Sequence, residues 1–152
     1  MKSFSEATDI DILLDLKVTV EPLTRNGVPY GRISLDHITM FDGLLYQPTT
    51  VCAQINLCDD IQILIDLHGK IYDQNKETAI HIKSIAVDGI EIKDHCYNLI
   101  QYNNDQRVKH QTLYLGFNGE WMLRVPGPFY RWWHTVSGQG WLLSGARSIS
   151  RG

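Results

Sequence analysis

The chain has 152 residues, 43% of them hydrophobic and 20% charged, a globular balance that excludes long disorder and collagen-like repeats. This length suits a single domain spanning residues 1–152, since two domains would each be too small to bury an adequate core. The 14 Lys and Arg against 17 Asp and Glu leave a net charge of −3, so no general attraction to phosphate backbones exists and nucleic acid is not an expected partner.

Met1 to Asp9 is polar and acidic, where a secretory leader would be basic and then apolar. No apolar run reaches the roughly 18 residues that would cross a bilayer, so a soluble protein without a membrane partner is expected. Cys52, Cys58 and Cys96 are odd in number and lack C-x-x-C spacing. They read as reduced, partly buried thiols behaving as small hydrophobes, which favours assembly in a cytoplasm.

In chain order, Ile12, Leu14, Leu16, Val18 and Val20 alternate with polar residues, a period of two that predicts a strand ending at Pro22. After Asn26-Gly27 and Pro29, the segment from Arg32 to Phe41 leads through Asp42-Gly43 into Leu44, Leu45 and Tyr46, which reads as a hairpin turning at Asp-Gly. Val51, Ala53, Ile55 and Leu57 alternate again, and Ile61, Ile63, Ile65 and Leu67 resume the pattern beyond Asp59-Asp60. These two runs read as paired strands.

The polar stretch from Asp66 to Thr78 reads as a mobile connection. Ile80 and Ile82 share one parity, Ile85 and Val87 the other, which predicts a bulge near Lys83-Ser84. Asp88-Gly89 supplies a tight turn into Ile90 and Ile92. Asn103 to His110 reads as a surface loop. Leu113, Leu115 and Phe117 then lead through Asn118-Gly119 into Trp121, Leu123 and Val125, the strongest hairpin signal in the chain.

Past Pro128 the period changes. Phe129, Trp132, Trp133 and Val136 fall on one face of a helix of about two turns, which Gly138 and Gly140 would stop. Trp141-Leu142-Leu143 reads as extended, and residues 144–152 as a flexible tail or an arm ordered by a neighbour. About eight strands with one short C-terminal helix give an all-β fold, an antiparallel β-sandwich or jelly roll.

Six histidines, at positions 37, 68, 81, 95, 110 and 134, show no spacing that puts two imidazoles on one metal, although His37, His68 and His81 sit in alternating runs that could meet across strands. No G-x-S-x-G elbow or phosphate loop is present, so no catalytic residues are assigned and no enzyme is expected. Asp59-Asp60 and the set Asp66, Asp73 and Glu77 could offer oxygens to calcium, but a solvated turn explains them more simply; no metal residue is assigned and no cofactor is expected beyond that calcium option.

The richest segment is Phe129-Tyr130-Arg131-Trp132-Trp133-His134, with Trp121 before it and Trp141 after it. Large flat side chains serve as core, as interface anchors or as sugar-stacking platforms. Phe129, Trp132 and Val136 read as core. Tyr130, Arg131, Trp133 and His134 cannot all share the buried face, so these four and Trp141 are the candidate ligand- or partner-binding residues.

The run from Ile80 to Ile92 and the segment Leu113 to Gly119 followed by Glu120-Trp121 resemble small β-sandwich proteins encoded by tailed bacteriophages of cyanobacteria. Alternating strands, an acidic polar loop and an I-x-V-D-G turn are also similar in pattern, over residues 10–92, to calcium-dependent carbohydrate-binding modules. The resemblance implies a non-catalytic sandwich used by a virion for structure or host attachment. Its partners would be other protein chains in an oligomer or virion, assembled in the host cytoplasm. The alternative is a carbohydrate-binding module, or a soluble cytoplasmic protein, with a glycan as partner, exposed aromatics as platforms and calcium as an optional ligand.

Overall fold

The computed structural model describes residues 12–74, 76–108 and 111–138. These form an antiparallel β-sandwich of two five-stranded sheets. The first sheet runs in the order β4 (Thr49–Asn56), β1 (Leu13–Thr24), β6 (Thr78–Val87), β7 (Ile90–Glu91), with β9 (Tyr114–Leu115) also pairing to β6. The second runs β3 (Ile38–Leu44), β2 (Tyr30–Leu35), β5 (Ile61–His68), β10 (Gly119–Val125), β8 (Ile100–Asn104). Two 3-10 turns, Lys93–His95 and Tyr97–Leu99, lead into β8, and α1 (Phe129–Ser137) follows β10.

Alternation decides which side chains face inward. Leu14, Leu16, Val18 and Val20 of β1 and Ile61, Ile63, Ile65 and Leu67 of β5 all lie in one core with Trp121 and Leu123 of β10. Burying each such side chain contributes roughly 1.5–3 kcal/mol, which holds the two sheets face to face. The bulge falls where parity changes: Thr19 pairs with Ser84 and Val20 with Ile82, leaving Lys83 as the extra residue.

Four local expectations are corrected by the pairing. Pro22 does not end β1 but pairs opposite Ile80. Pairing of β1 with β4 stops at Val20–Thr49, so β1 has an open flank at Pro22, where a missing N–H is tolerated. The hairpin near residue 42 turns instead at Asp36-His37, both at positive φ (51° and 68°), while Asp42 and Gly43 pair within β3 opposite Arg32 and Gly31. The strands flanking Asp59-Asp60 are not partners: β4 belongs to the first sheet and β5 to the second.

Asn118-Gly119 is likewise no hairpin. Leu115 pairs with Ile80 in the first sheet, whereas Gly119 opens β10 opposite Leu67 in the second, so the dipeptide crosses between sheets. Gly119 is required by space: at φ 155° a Cβ would stand 2.2 Å from the Asn103 carbonyl oxygen.

The registers define two ends of the sandwich. At one end lie the 57–60 connection, the Asp88-Gly89 turn and α1, with the Leu57 carbonyl accepting from the Phe129 N–H at 3.2 Å. At the other end lie the 69–77 connection, β9 and the start of β10. No helix among the described residues is long and apolar enough to cross a membrane.

Candidate functional site

The aromatic segment forms the predicted helix, stopped by Gly138 in the left-handed region at φ 79°, a conformation glycine adopts without a Cβ clash. Phe129 and Trp132 are buried in the core, and Trp133 and Val136 pack partly against it. Trp133 also meets the His95 ring edge-on at a centroid distance of 5.0 Å. Of the candidate residues, Tyr130 and Arg131 face outward, while Trp133 and His134 are half-buried. The Tyr130 phenol is raised above its usual range by burial and by the neighbouring Asp88 carboxylate. Trp141 and the segment 144–152 lie outside the described residues. The aromatic segment is therefore mainly a cap on one end of the core, with Tyr130 and Arg131 on its outer side.

The acidic residues do not converge. Asp60 pairs with Arg124 at 2.9 Å and accepts from the Gly127 N–H, Glu77 pairs with Arg25 at 2.8 Å, and Asp66, buried on β5, pairs with Arg32 at 2.9 Å. Among the described residues no group of three or more His, Cys, Asp or Glu side chains is placed to hold a metal. This arrangement does not fit a calcium centre, which takes six to eight oxygens around one point. His37 stands at the β2–β3 turn, His68 at the far end of β5 and His81 in the other sheet, so these three histidines do not meet.

Two concavities among the described residues bear on function. One, of about 560 Å³, lies on the outer face of the first sheet, where Asp15, Lys17, Cys52, Gln54 and Asp88 line it. Its polar groups largely satisfy one another: Asp15 accepts from Gln54 at 3.3 Å, and Asp88 accepts from the Asp15 N–H at 2.7 Å. It presents no aromatic face.

The other, of about 430 Å³, lies at the end opposite α1, between the 69–77 connection and β9. Its lining includes Lys70, Tyr72, Lys76, Tyr102, Tyr114 and Phe117. The rings are fixed from behind. Tyr72 donates its hydroxyl to Asp105, accepts from the Asn118 N–H at 2.9 Å and meets Phe117 edge-on at 6.1 Å. Tyr102 donates to the Phe117 carbonyl and accepts the Phe117 N–H at 3.0 Å; burial pushes its phenol up to about 12. Tyr114 is 42% exposed.

Asn118 holds the two walls together. Its side-chain amide accepts from the Lys70 N–H at 2.8 Å and donates to the Lys70 carbonyl at 2.7 Å, pairing with the backbone as a strand neighbour would. The Lys70 ammonium donates to the Gly116 carbonyl at 2.6 Å and the Lys76 carbonyl at 3.3 Å, and stands 5.6 Å from the Tyr72 ring centroid. Burial lowers its pKa below the usual lysine value.

Sequence reasoning overlooked this site because it treated 66–78 as a polar loop and 113–117 as one arm of a hairpin. A signal was present: Tyr72 is the lone aromatic in that loop, flanked by Lys70 and Lys76, and Tyr114 occupies the polar parity between Leu113 and Leu115.

No protein-family model and no curated protein sequence matches the chain. Its fold defines a protein of the antiparallel β-sandwich class. A solved structure is similar, a selenomethionine form of vCBM60, described with two families of calcium-dependent carbohydrate-binding modules linked by circular permutation. The match has 13% identity and a TM-score of 0.44, covering 72% of this chain and 89% of that one.

Proposed function

We propose that the protein is a non-catalytic β-sandwich module that binds a glycan in the cleft between the 69–77 connection and β9. The observation that carries this reading is a fixed aromatic wall: the hydroxyl of half-buried Tyr72 is tied into the fold and Tyr114 stands exposed beside it, leaving ring surface as what these two offer a ligand, while buried Tyr102 braces Phe117 from behind. Rigid ring faces suit stacking against the apolar face of a pyranose at little entropic cost, and the cleft volume is that of a small-ligand site. Among the described residues the lining includes no Asp or Glu, whereas most glycoside hydrolysis needs a pair of carboxylates, so the lining favours binding over cleavage.

Glycan-array binding followed by calorimetry tests this. Tyr114→Ala should weaken binding of any retained glycan by roughly tenfold, the loss of one aromatic contact of about 1.4 kcal/mol, without changing the unfolding midpoint. Silence across the array sinks the reading.

A second reading, a structural or adhesive module within a larger protein assembly, is favoured by β3. This edge strand and the residues just beyond it expose Ile38 (63%), Leu44 (45%) and Tyr46 (69%), an apolar edge that unassembled proteins usually avoid. Tyr130 and Arg131 on α1 would be further contact residues.

A further inference from the structure

We propose that the cleft prefers an acidic sugar, a pyranose bearing a carboxylate or a sulfate, over a neutral one; this rests on the glycan reading above and specifies its ligand. Neutral sugars carry hydroxyls that both donate and accept, so a neutral-sugar site needs acceptors as well as donors. The side chains of this lining are unbalanced. Two lysines, Lys70 and Lys76, line the same space as the tyrosine rings. Its hydroxyls are those of tyrosines and Thr112, three of them already engaged with the fold.

Among the described residues no ion pair involves Lys70 or Lys76; of the carboxylates near this end, Glu77 and Asp105 are engaged by Arg25 and Tyr72, and Asp73 and Glu120 are exposed to solvent. Lys70 spends two of its three N–H donors on the Gly116 and Lys76 carbonyls, which fixes its ammonium at the cleft wall and leaves one donor available. A half-buried ammonium held by neutral carbonyls gains most from an anionic acceptor, because charge-assisted hydrogen bonds are about twice as strong as neutral ones. Stacking on the rings would then select the sugar ring that carries the anion.

The test is calorimetry on the full chain with tetragalacturonate, its methyl ester, which removes the charge but keeps the ring, and a sulfated galactan tetrasaccharide. The expected result is about tenfold tighter binding of one or both anionic chains than of the ester, with the difference shrinking as salt rises. Lys76→Gln, a change at an exposed side chain, should erase most of that difference by weakening binding of the anionic chains far more than binding of the ester. The two anionic arms identify the acidic group as carboxylate or sulfate. Equal binding of acid and ester, or a preference that survives Lys76→Gln and is indifferent to salt, overturns the inference while the glycan reading stands. Binding of no sugar in these titrations or on the array overturns both.

Discussion

Asp60 shows how one side chain can tie two connections together. Its carboxylate accepts from the Gly127 N–H and from Arg124, and these contacts, the backbone one first, hold its pKa below the ordinary 3.8. A carboxylate lowered on folding adds stability above its unfolded pKa and loses it as pH falls through the folded value. The unfolding midpoint should therefore drop as pH is taken below about 4, and Asp60→Asn should remove part of that drop while lowering the midpoint at neutral pH. Urea unfolding across that range decides the matter, and an unchanged acid slope in the variant would refute the assignment. At this scale the sequence was a poor guide. Asp59-Asp60 reads as a solvated turn or a calcium ligand pair, and nothing in its neighbours points to Arg124, 64 positions away.

Among elements, the connection between β9 and β10 is the most instructive. Asn118-Gly119 has the composition of a hairpin turn, yet Asn118 spends its amide on the Lys70 backbone and Gly119 is needed to let the chain pass Asn103. Asn118→Ala should cost about 1–3 kcal/mol by leaving partly buried backbone groups unpaired, and should speed amide exchange at Lys70 and through the 69–77 connection. Exchange measured by mass spectrometry would settle this, since protection unchanged at Lys70 would mean that the clip is not holding the wall.

Strand periodicity was informative for the same segments, because the alternation of Leu113, Leu115, Trp121, Leu123 and Val125 correctly marks inward side chains, all of them buried. It could not say which sheet each belongs to. Face is a local property of parity, whereas partnership depends on contacts such as Ile80 to Leu115 that lie far apart in the chain. The same limit explains why the runs before and after Asp59-Asp60 looked paired. α1 was legible because its four apolar positions and its stop at Gly138 are all local.

For the whole molecule, the β-sandwich follows from composition and turn density, and the cleft does not. Its walls come from Lys70, Tyr72 and Lys76 on one side and from Tyr102, Thr112, Tyr114 and Phe117 on the other, which Asn118 ties together through the Lys70 backbone. The edges of the sheets carry their own prediction. If β3 serves assembly, the wild-type chain should self-associate with concentration in sedimentation experiments, and Ile38→Lys with Leu44→Lys should abolish this, since lysine on an edge strand opposes pairing with another chain. A wild-type monomer throughout the concentration range would rule the assembly reading out.

The helical cap and the tyrosine cleft stand at opposite ends of the sandwich. They are separated by the length of β6, whose ten residues span roughly 30 Å. Substitutions more than about 10 Å apart with no shared partner combine additively. If the cleft binds a glycan as proposed, thermal tolerance and ligand choice are therefore independent variables in this protein. Repacking around Phe129 and Trp132 would then raise or lower the melting point with recognition left untouched, and exchanges at Tyr114 or Lys76 would redirect specificity without eroding the scaffold.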